Sequence, residues 1–336
     1  GDVYKRQGTG KPYDDSRAIR IEGMAGSLAA TAPLSAFGSL TLNAPNVEQG
    51  GTLYAPLGRI GMGIATDGVN RQVRLLPGSL TSVSAAGLTI PYGGTIDGLS
   101  YLYQGAAVQS VGVGGMDAFR LVRGISLLGG AVAVEPGAVI DLSGGGTLAG
   151  AGFVSGRGGS TDPLFHPLPR IDPVTGRFDL PTLAERPVYA IVPGLTDGYA
   201  PVAPRDEATT YAGSRPQPGQ TLTLAAGIAG LPAGTYTLLP SYYALLPGAF
   251  RVELGQGALG GAAITQRGGS SSVAATRGLA NTGTADGLPR QALVTPGDVL
   301  RRYAQYNEMD YRSFVLAQAT RCLLYTSPSP RDKRQS

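Results

Sequence analysis

His166 is the only histidine in the chain, and it stands in the proline-flanked run "LFHPL". A Ser-His-Asp relay would have to use it, because no second imidazole is present to take the serine proton. The only cysteine is Cys322, so one His and one Cys fall short of an ordinary tetrahedral zinc set. Three aspartates merit weighing as acids: Asp141 in "AVIDLSG", Asp162 in "GSTDP" and Asp179 in "RFDLP". Glycoside cleavage needs two carboxyls about 5 to 10 Å apart across a cleft. All three stand near Gly, Ser or Pro, where turn formation is their ordinary role. "GTGKP" lacks the Ser or Thr that a phosphate loop places after its lysine, with Pro12 there instead. "GRGGSTD" is a single degenerate relative of the calcium nonapeptide, whose ligands are shared between successive turns. The expectation is therefore no catalytic set, no metal site and no cofactor.

Tyrosine is the remaining chemistry-bearing type. Tyr189, Tyr199, Tyr211, Tyr236, Tyr242 and Tyr243 gather in the middle of the chain. A tyrosine ring can stack on a sugar face or a protein surface while its hydroxyl stays wet. It can equally cover apolar surface as part of a satellite core. Tyr189, Tyr199, Tyr236, Tyr242 and Tyr243 are the candidate ligand contacts.

The elements that must position these residues are strands and turns. From Arg17 to about Ser160, runs such as "GSLTLNAP", "RQVRLLPGSLTSVS" and "GAVAVEPGAVIDLSGGG" alternate briefly and stop at Gly, Pro, Asn or Asp. Leu40, Ile60 and Leu80 lie 20 residues apart, about one coil of a β-solenoid. The expected fold is all-β: a right-handed parallel β-helix with Leu40, Ile60 and Leu80 inward on successive coils. Glycine, 52 of 336 residues, supplies corners where φ is positive. A two-sheet sandwich is the structural competitor.

Residues 8–160 are assigned to the coils and 161–254 to an irregular proline- and tyrosine-rich excursion. Within it "YTLLP" and "YALLP" are near-duplicates. Residues 255–294 read as a further strand-and-turn segment, and 295–321 as helical. Thr295 is placed to cap, Pro296 to open the helix and Asp298 to meet its dipole. That predicts a helix from about Pro296 to Met309 and a second over "DYRSFVLAQATR".

Residues 1–7 and 322–336 differ from the rest. Reverse translation of "GDVYKRQ" and reading the opposite strand one base out of frame gives Cys-Leu-Leu-Tyr-Thr-Ser-Pro, which is Cys322 to Pro328. Both ends resemble one translated sequencing adapter, so they are set aside from fold reasoning and expected to be unpacked. Of the formal +4 charge, Asp2, Lys5 and Arg6 contribute +1, and Arg331, Asp332, Lys333 and Arg334 contribute +2. The remaining +1 leaves no electrostatic footprint for nucleic acid. An apolar share of 42% argues against disorder. No apolar run approaches the roughly 20 residues of a membrane span.

"LTLNAPNVEQGGTLYAPLG", "GAVIDLSGGGTLAGAGFVSGRGG", "VYAIVPG", "LPAGTYTLLPSYYALLPGAFRVEL" and "RRYAQYN" together resemble an uncharacterised downstream domain of filamentous-haemagglutinin-type exoproteins. The resemblance covers most of residues 8–321. It implies an internal segment of a secreted, bacterial cell-surface protein, exported by two-partner secretion through an outer-membrane β-barrel transporter. It further implies adhesion, biofilm formation or contact-dependent delivery, with host or bacterial surface glycans or proteins as partners. The alternatives are a β-helical polysaccharide lyase or hydrolase, and the passenger segment of an autotransporter.

Overall fold

The computed structural model describes residues 17–23, 32–64, 71–95, 97–103, 106–108, 123–154, 162–171, 176–195, 216–258 and 260–326. The protein is all-β, with parallel sheets, one large antiparallel sheet and few helices. It divides into two compact units, Gly1–Ile90 with Gln109–Thr147, and Pro91–Val108 with Leu148–Ser336.

The first unit carries three parallel sheets. One holds Ala18–Glu22, Asn46–Gly50, Gln72–Leu75 and Ala131–Val134 in that order. The second holds Ser39–Leu42, Arg59–Gly63 and Gly124–Leu128, and the third Thr52–Tyr54, Leu80–Ser82 and Val139–Asp141. The chain visits the sheets in a fixed rotation, so each strand lands beside the one from the turn before. Register turns local alternation into long apolar rows: Ile19, Val47, Val73 and Val132 are successive neighbours. So are Leu40, Ile60 and Ile125. Val47, Ile60, Met62, Val73 and Leu75 are wholly buried. Gln49 interrupts one row yet is fully buried. Its amide donates to the carbonyls of Gly51 and Leu80 at 3.0 and 3.2 Å, and its carbonyl accepts from Gly51 N–H at 3.1 Å. The polar group thus bridges two turns of chain and is satisfied where it is buried.

The expected ladder of Leu40, Ile60 and Leu80 is half right. Leu40 and Ile60 are direct neighbours, but Leu80 lies in the third sheet, beside Thr52 and Val139, and is half-buried. The third member of the row is Ile125. A fixed period fails because the intervals vary. Ala18, Asn46, Gln72 and Ala131 are successive partners, separated by 28, 26 and 59 residues. Extra chain between turns leaves the pairing intact and removes the repeat.

The second unit is built round an eight-stranded antiparallel sheet drawn from Val188–Ile191, Gln220–Leu224, Gly234–Thr237, Leu239–Pro240, Phe250–Ala258, Ile264–Thr265, Ser271–Leu279 and Arg290–Pro296. Leaving aside Ile264–Thr265, which pairs off the main path, its two edges are Gly234–Thr237 and Leu239–Pro240, one residue apart in sequence. The sheet therefore curls until its edges nearly meet. Every second residue points into the enclosed core: Tyr189 and Ile191, Leu222 and Leu224, Tyr236 and Leu238, Phe250, Val252 and Leu254, Val273 and Ala275, Ala292 and Val294. This is the period-2 pattern of strands with one apolar face. The expected boundary between residues 254 and 255 falls inside the strand Phe250–Ala258. Residues 91–108 and 148–160, expected among the coils, belong to this second unit.

The helical segment also differs from expectation. Thr295 and Pro296 end a strand, and the first helix is only Gly297–Leu300. Tyr306–Glu308 then pairs antiparallel with Ala151–Phe153. Strand pairing thus claims residues that a 14-residue helix would have used. The second expected helix is present as Tyr311–Thr326. Tyr311 and Phe314 pack on Tyr101, with ring centroids 5.1 Å away in each case. The helical backbone continues through Cys322–Thr326, whose side chains, with residues 1–7 and 327–336, lie outside the described part.

Candidate functional site

The strand Phe250–Ala258 sends Phe250, Val252 and Leu254 into the core and Arg251 and Glu253 to the opposite face. Both charged side chains are fully buried there. The Arg251 guanidinium donates to Glu253 Oε2 at 3.1 and 3.2 Å, to Pro163 O at 2.6 Å and to His166 O at 3.0 Å. Glu253 also accepts from Leu168 N–H at 3.0 Å and lies 3.5 Å from Arg186. This buried pair fastens the proline-rich segment 162–168 to the sheet through its main chain. His166 contributes its carbonyl, while its imidazole is exposed. The geometry makes the only histidine part of an anchored cover.

The three aspartates have local duties. Asp141, in the first unit, accepts from Ser143 N–H at 2.9 Å and from Ser82 Oγ at 3.1 Å. Hydrogen bonds from Ser143 and Ser82 hold its pKa below the ordinary carboxylate value. Asp162, in the second unit, is buried and accepts from Leu164 N–H at 2.8 Å. Burial raises its pKa to about 6 against the opposing pull of that bond and of Arg251. Asp179 ends the two-residue strand that pairs with Arg170–Ile171, and its side chain lies outside the described part. Among the described residues no group of three or more His, Cys, Asp or Glu is placed to hold a metal ion. "GTGKP" and residues 156–161 of "GRGGSTD" lie outside the described residues.

The tyrosines divide. Tyr189, Tyr236 and Tyr243 are buried, and Tyr236 Oη donates to Pro232 O at 2.8 Å. Their rings are packing surface, closed to a ligand. Tyr242 is half-buried against Tyr243, with centroids 4.9 Å apart. Tyr199 and Tyr211 lie outside the described residues. A second aromatic cluster, not singled out above, joins Tyr92, Tyr101, Tyr103, Tyr311 and Phe314. Tyr101 Oη donates to Tyr92 O at 2.6 Å, and burial raises the pKa of Tyr101 and Tyr103. This cluster seats the Tyr311–Thr326 helix.

An open cleft of about 740 Å³ remains in the second unit. Pro187, Leu254, Leu288 and Pro289 give it apolar wall, and Glu185, Arg277, Asp286 and Arg290 give it charge. Arg277 Nε and Arg290 Nε hold Asp286 between them at 3.1 and 3.3 Å. Glu185 accepts from Thr182 N–H and Oγ1 at 2.7 and 2.8 Å, which lowers its pKa. Tyr189 is buried, and that burial raises its pKa against the opposing pull of Arg277. Both carboxylates are thus engaged by neighbours. The cleft thus sets an apolar wall beside charged edges. Sequence reasoning missed Arg277, Asp286 and Arg290, which a hairpin brings together. "TRGLANTGTADG" carried that signal: Gly278 bridges Ala285, and Asn281 takes the positive φ of 59° at the turn. Comparison with protein-family models, with curated proteins and with solved structures gave no match.

Proposed function

We propose that this chain is a structural and adhesive segment of a secreted, cell-surface exoprotein of the filamentous-haemagglutinin type, and that its first unit is a right-handed parallel β-helix. The reading rests on the sequence resemblance. One structural observation favours it most: an apolar row crosses four parallel strands far apart in sequence, Ile19, Val47, Val73 and Val132. Such a stack gains length by adding turns of about 4.8 Å each and tolerates insertions between them. Export would pass through an outer-membrane β-barrel transporter, and contact with surface glycans or proteins would fall to the cleft beside Arg277 and Arg290.

The test is a panel of polysaccharides and bacterial or host surface proteins, assayed for binding and for cleavage. Binding without turnover, weakened by Arg277→Ala with Arg290→Ala, is the expected outcome. Turnover lost in Asp141→Ala or Asp179→Ala would replace this reading with a polysaccharide lyase or hydrolase. Binding indifferent to both arginines would move the contact site elsewhere.

A further inference from the structure

Asp162 is a buried acid outside the cleft, and a proline follows it. The Asp162–Pro163 bond is therefore a tertiary amide, with no N–H on its nitrogen. The Asp162 side chain is of the length that closes a five-membered ring onto its own main-chain carbonyl carbon. The oxygen of that carbonyl accepts from Phe165 N–H at 3.2 Å and from His166 N–H at 3.1 Å. The carboxyl itself accepts from Leu164 N–H at 2.8 Å. Beyond the bond, the Pro163 carbonyl accepts from Arg251 Nε at 2.6 Å. Both sides of the bond are thus fixed. Two donors stand on the oxygen where negative charge would develop if the carboxyl attacked.

The surroundings also keep a proton on that carboxyl. Burial raises the Asp162 pKa to about 6, against the Leu164 hydrogen bond and the charge of Arg251. Arg251 acts on it from the strand Phe250–Ala258, and Glu253 and Tyr303 are the other titratable groups that act on Arg251. Glu253 is bonded to the guanidinium at 3.1 and 3.2 Å, so the cation is already balanced by a partner other than Asp162. The His166 side chain is exposed. Cleavage of an aspartyl–prolyl bond draws on the protonated carboxyl. At pH 5.5 a pKa of about 6 in place of 3.8 raises that form roughly thirtyfold.

We propose that the folded chain cleaves itself between Asp162 and Pro163 in mild acid. A side-chain oxygen of Asp162 attacks the carbonyl carbon of the same residue, and the developing oxyanion stays on the Phe165 and His166 N–H groups. The carboxyl proton passes to the Pro163 nitrogen, and the C–N bond breaks. A cyclic anhydride remains on Asp162 and a secondary amine on Pro163. One water then opens the anhydride to two carboxyl groups, so the net reaction is hydrolysis. Residues 1–162 keep the three parallel sheets, and 163–336 keep the whole antiparallel sheet. Ala151–Phe153 remains paired with Tyr306–Glu308 across the break, so the two pieces part only on denaturation. Such processing is independent of the adhesive role.

The test holds the full chain at about pH 5.5 and at about pH 8 and follows intact mass under denaturing conditions. Fragments ending at Asp162 and beginning at Pro163 are expected at the lower pH and not at the higher. They should form at least tenfold faster than in the urea-unfolded chain at the same pH. They should also outpace cleavage at Asp172–Pro173, the same dipeptide elsewhere in the sequence, by at least tenfold. Asp162→Asn, whose urea midpoint shows that it folds, should yield none. In water enriched in oxygen-18, label should enter the side-chain carboxyl of Asp162 as well as the new terminal one, because water opens the ring at either carbon. A contaminating protease labels the terminal carboxyl alone. An uncleaved chain at about pH 5.5, equal rates in folded and unfolded chain, cleavage in Asp162→Asn, or label confined to the terminal carboxyl would each overturn the proposal.

Discussion

The Arg251–Glu253 pair shows how a single residue type acquires its role from what lies over it. Desolvation lowers the Arg251 pKa, and Glu253 opposes that shift. Removing one member of a buried pair leaves the other's charge uncompensated away from water, a loss of about 3–5 kcal/mol. Glu253→Ala is expected to lose that much in urea unfolding, and Arg251→Met with Glu253→Leu much less, because no charge is then left buried. Asp162 makes a second prediction through pH. Its folded pKa of about 6 lies above its ordinary 3.8, so the folded protein holds a proton that the unfolded chain releases. The burial cost is complete above pH 6 and fades as pH falls through 6 toward 3.8. Asp162→Asn should therefore stabilise the protein by about 1–3 kcal/mol at neutral pH. Urea midpoints should converge with those of the parent chain below about pH 4.

At the scale of elements, close approach between turns decides which glycines are irreplaceable. Gly63 has φ of +90°, and a Cβ there would overlap the carbonyl of Leu128 on the neighbouring strand. Gly78 has φ of +80° but nothing within 4 Å of an added Cβ. Gly78→Ala should cost about 1 kcal/mol, the left-handed penalty alone. Gly63→Ala should cost clearly more, since the Arg59–Gly63 and Gly124–Leu128 strands must separate. Thermal or urea unfolding of both variants compares the two terms. The near-duplicates "YTLLP" and "YALLP" make the converse point. Tyr236 and Thr237 end one strand and Leu239–Pro240 forms another, whereas Tyr243, Ala244 and Leu245 belong to the 3₁₀ turn Ser241–Leu245. Similar local strings bury similar apolar groups, and the sheet edge decides their backbone.

Charge is the property of the whole molecule that most limits its partners. Without the adapter-like ends the formal charge is +1, and arginines such as Arg74, Arg251 and Arg277 are paired with carboxylates. Heparin or duplex DNA should therefore not be retained at about 150 mM salt, where unfocused charge is screened beyond roughly 8 Å. Fluorescence anisotropy with a labelled duplex checks this. Retention at that salt would reveal a basic surface that net charge conceals.

Strand-rich, glycine-cornered chain was legible from composition and alternation alone, because the period of a strand is written in neighbouring residues. The pairing of Leu40 with Ile60 was legible for the same reason, since only one short turn separates them. The second helix was legible too, as a run after Asp310 free of Gly and Pro. What local sequence could not carry was pairing across long intervals. Leu80 beside Val139, Tyr306 beside Phe153 and Arg251 under Pro163 depend on which strands meet after many intervening residues. The curled antiparallel sheet was hidden for the same reason: its two edges are adjacent in sequence, yet the strands between them come from residues 188–296. Sequence thus determined which residues form strands and which face of each is apolar. Tertiary structure alone decided the partner strands, and through them which charged and aromatic groups became core, cover or cleft.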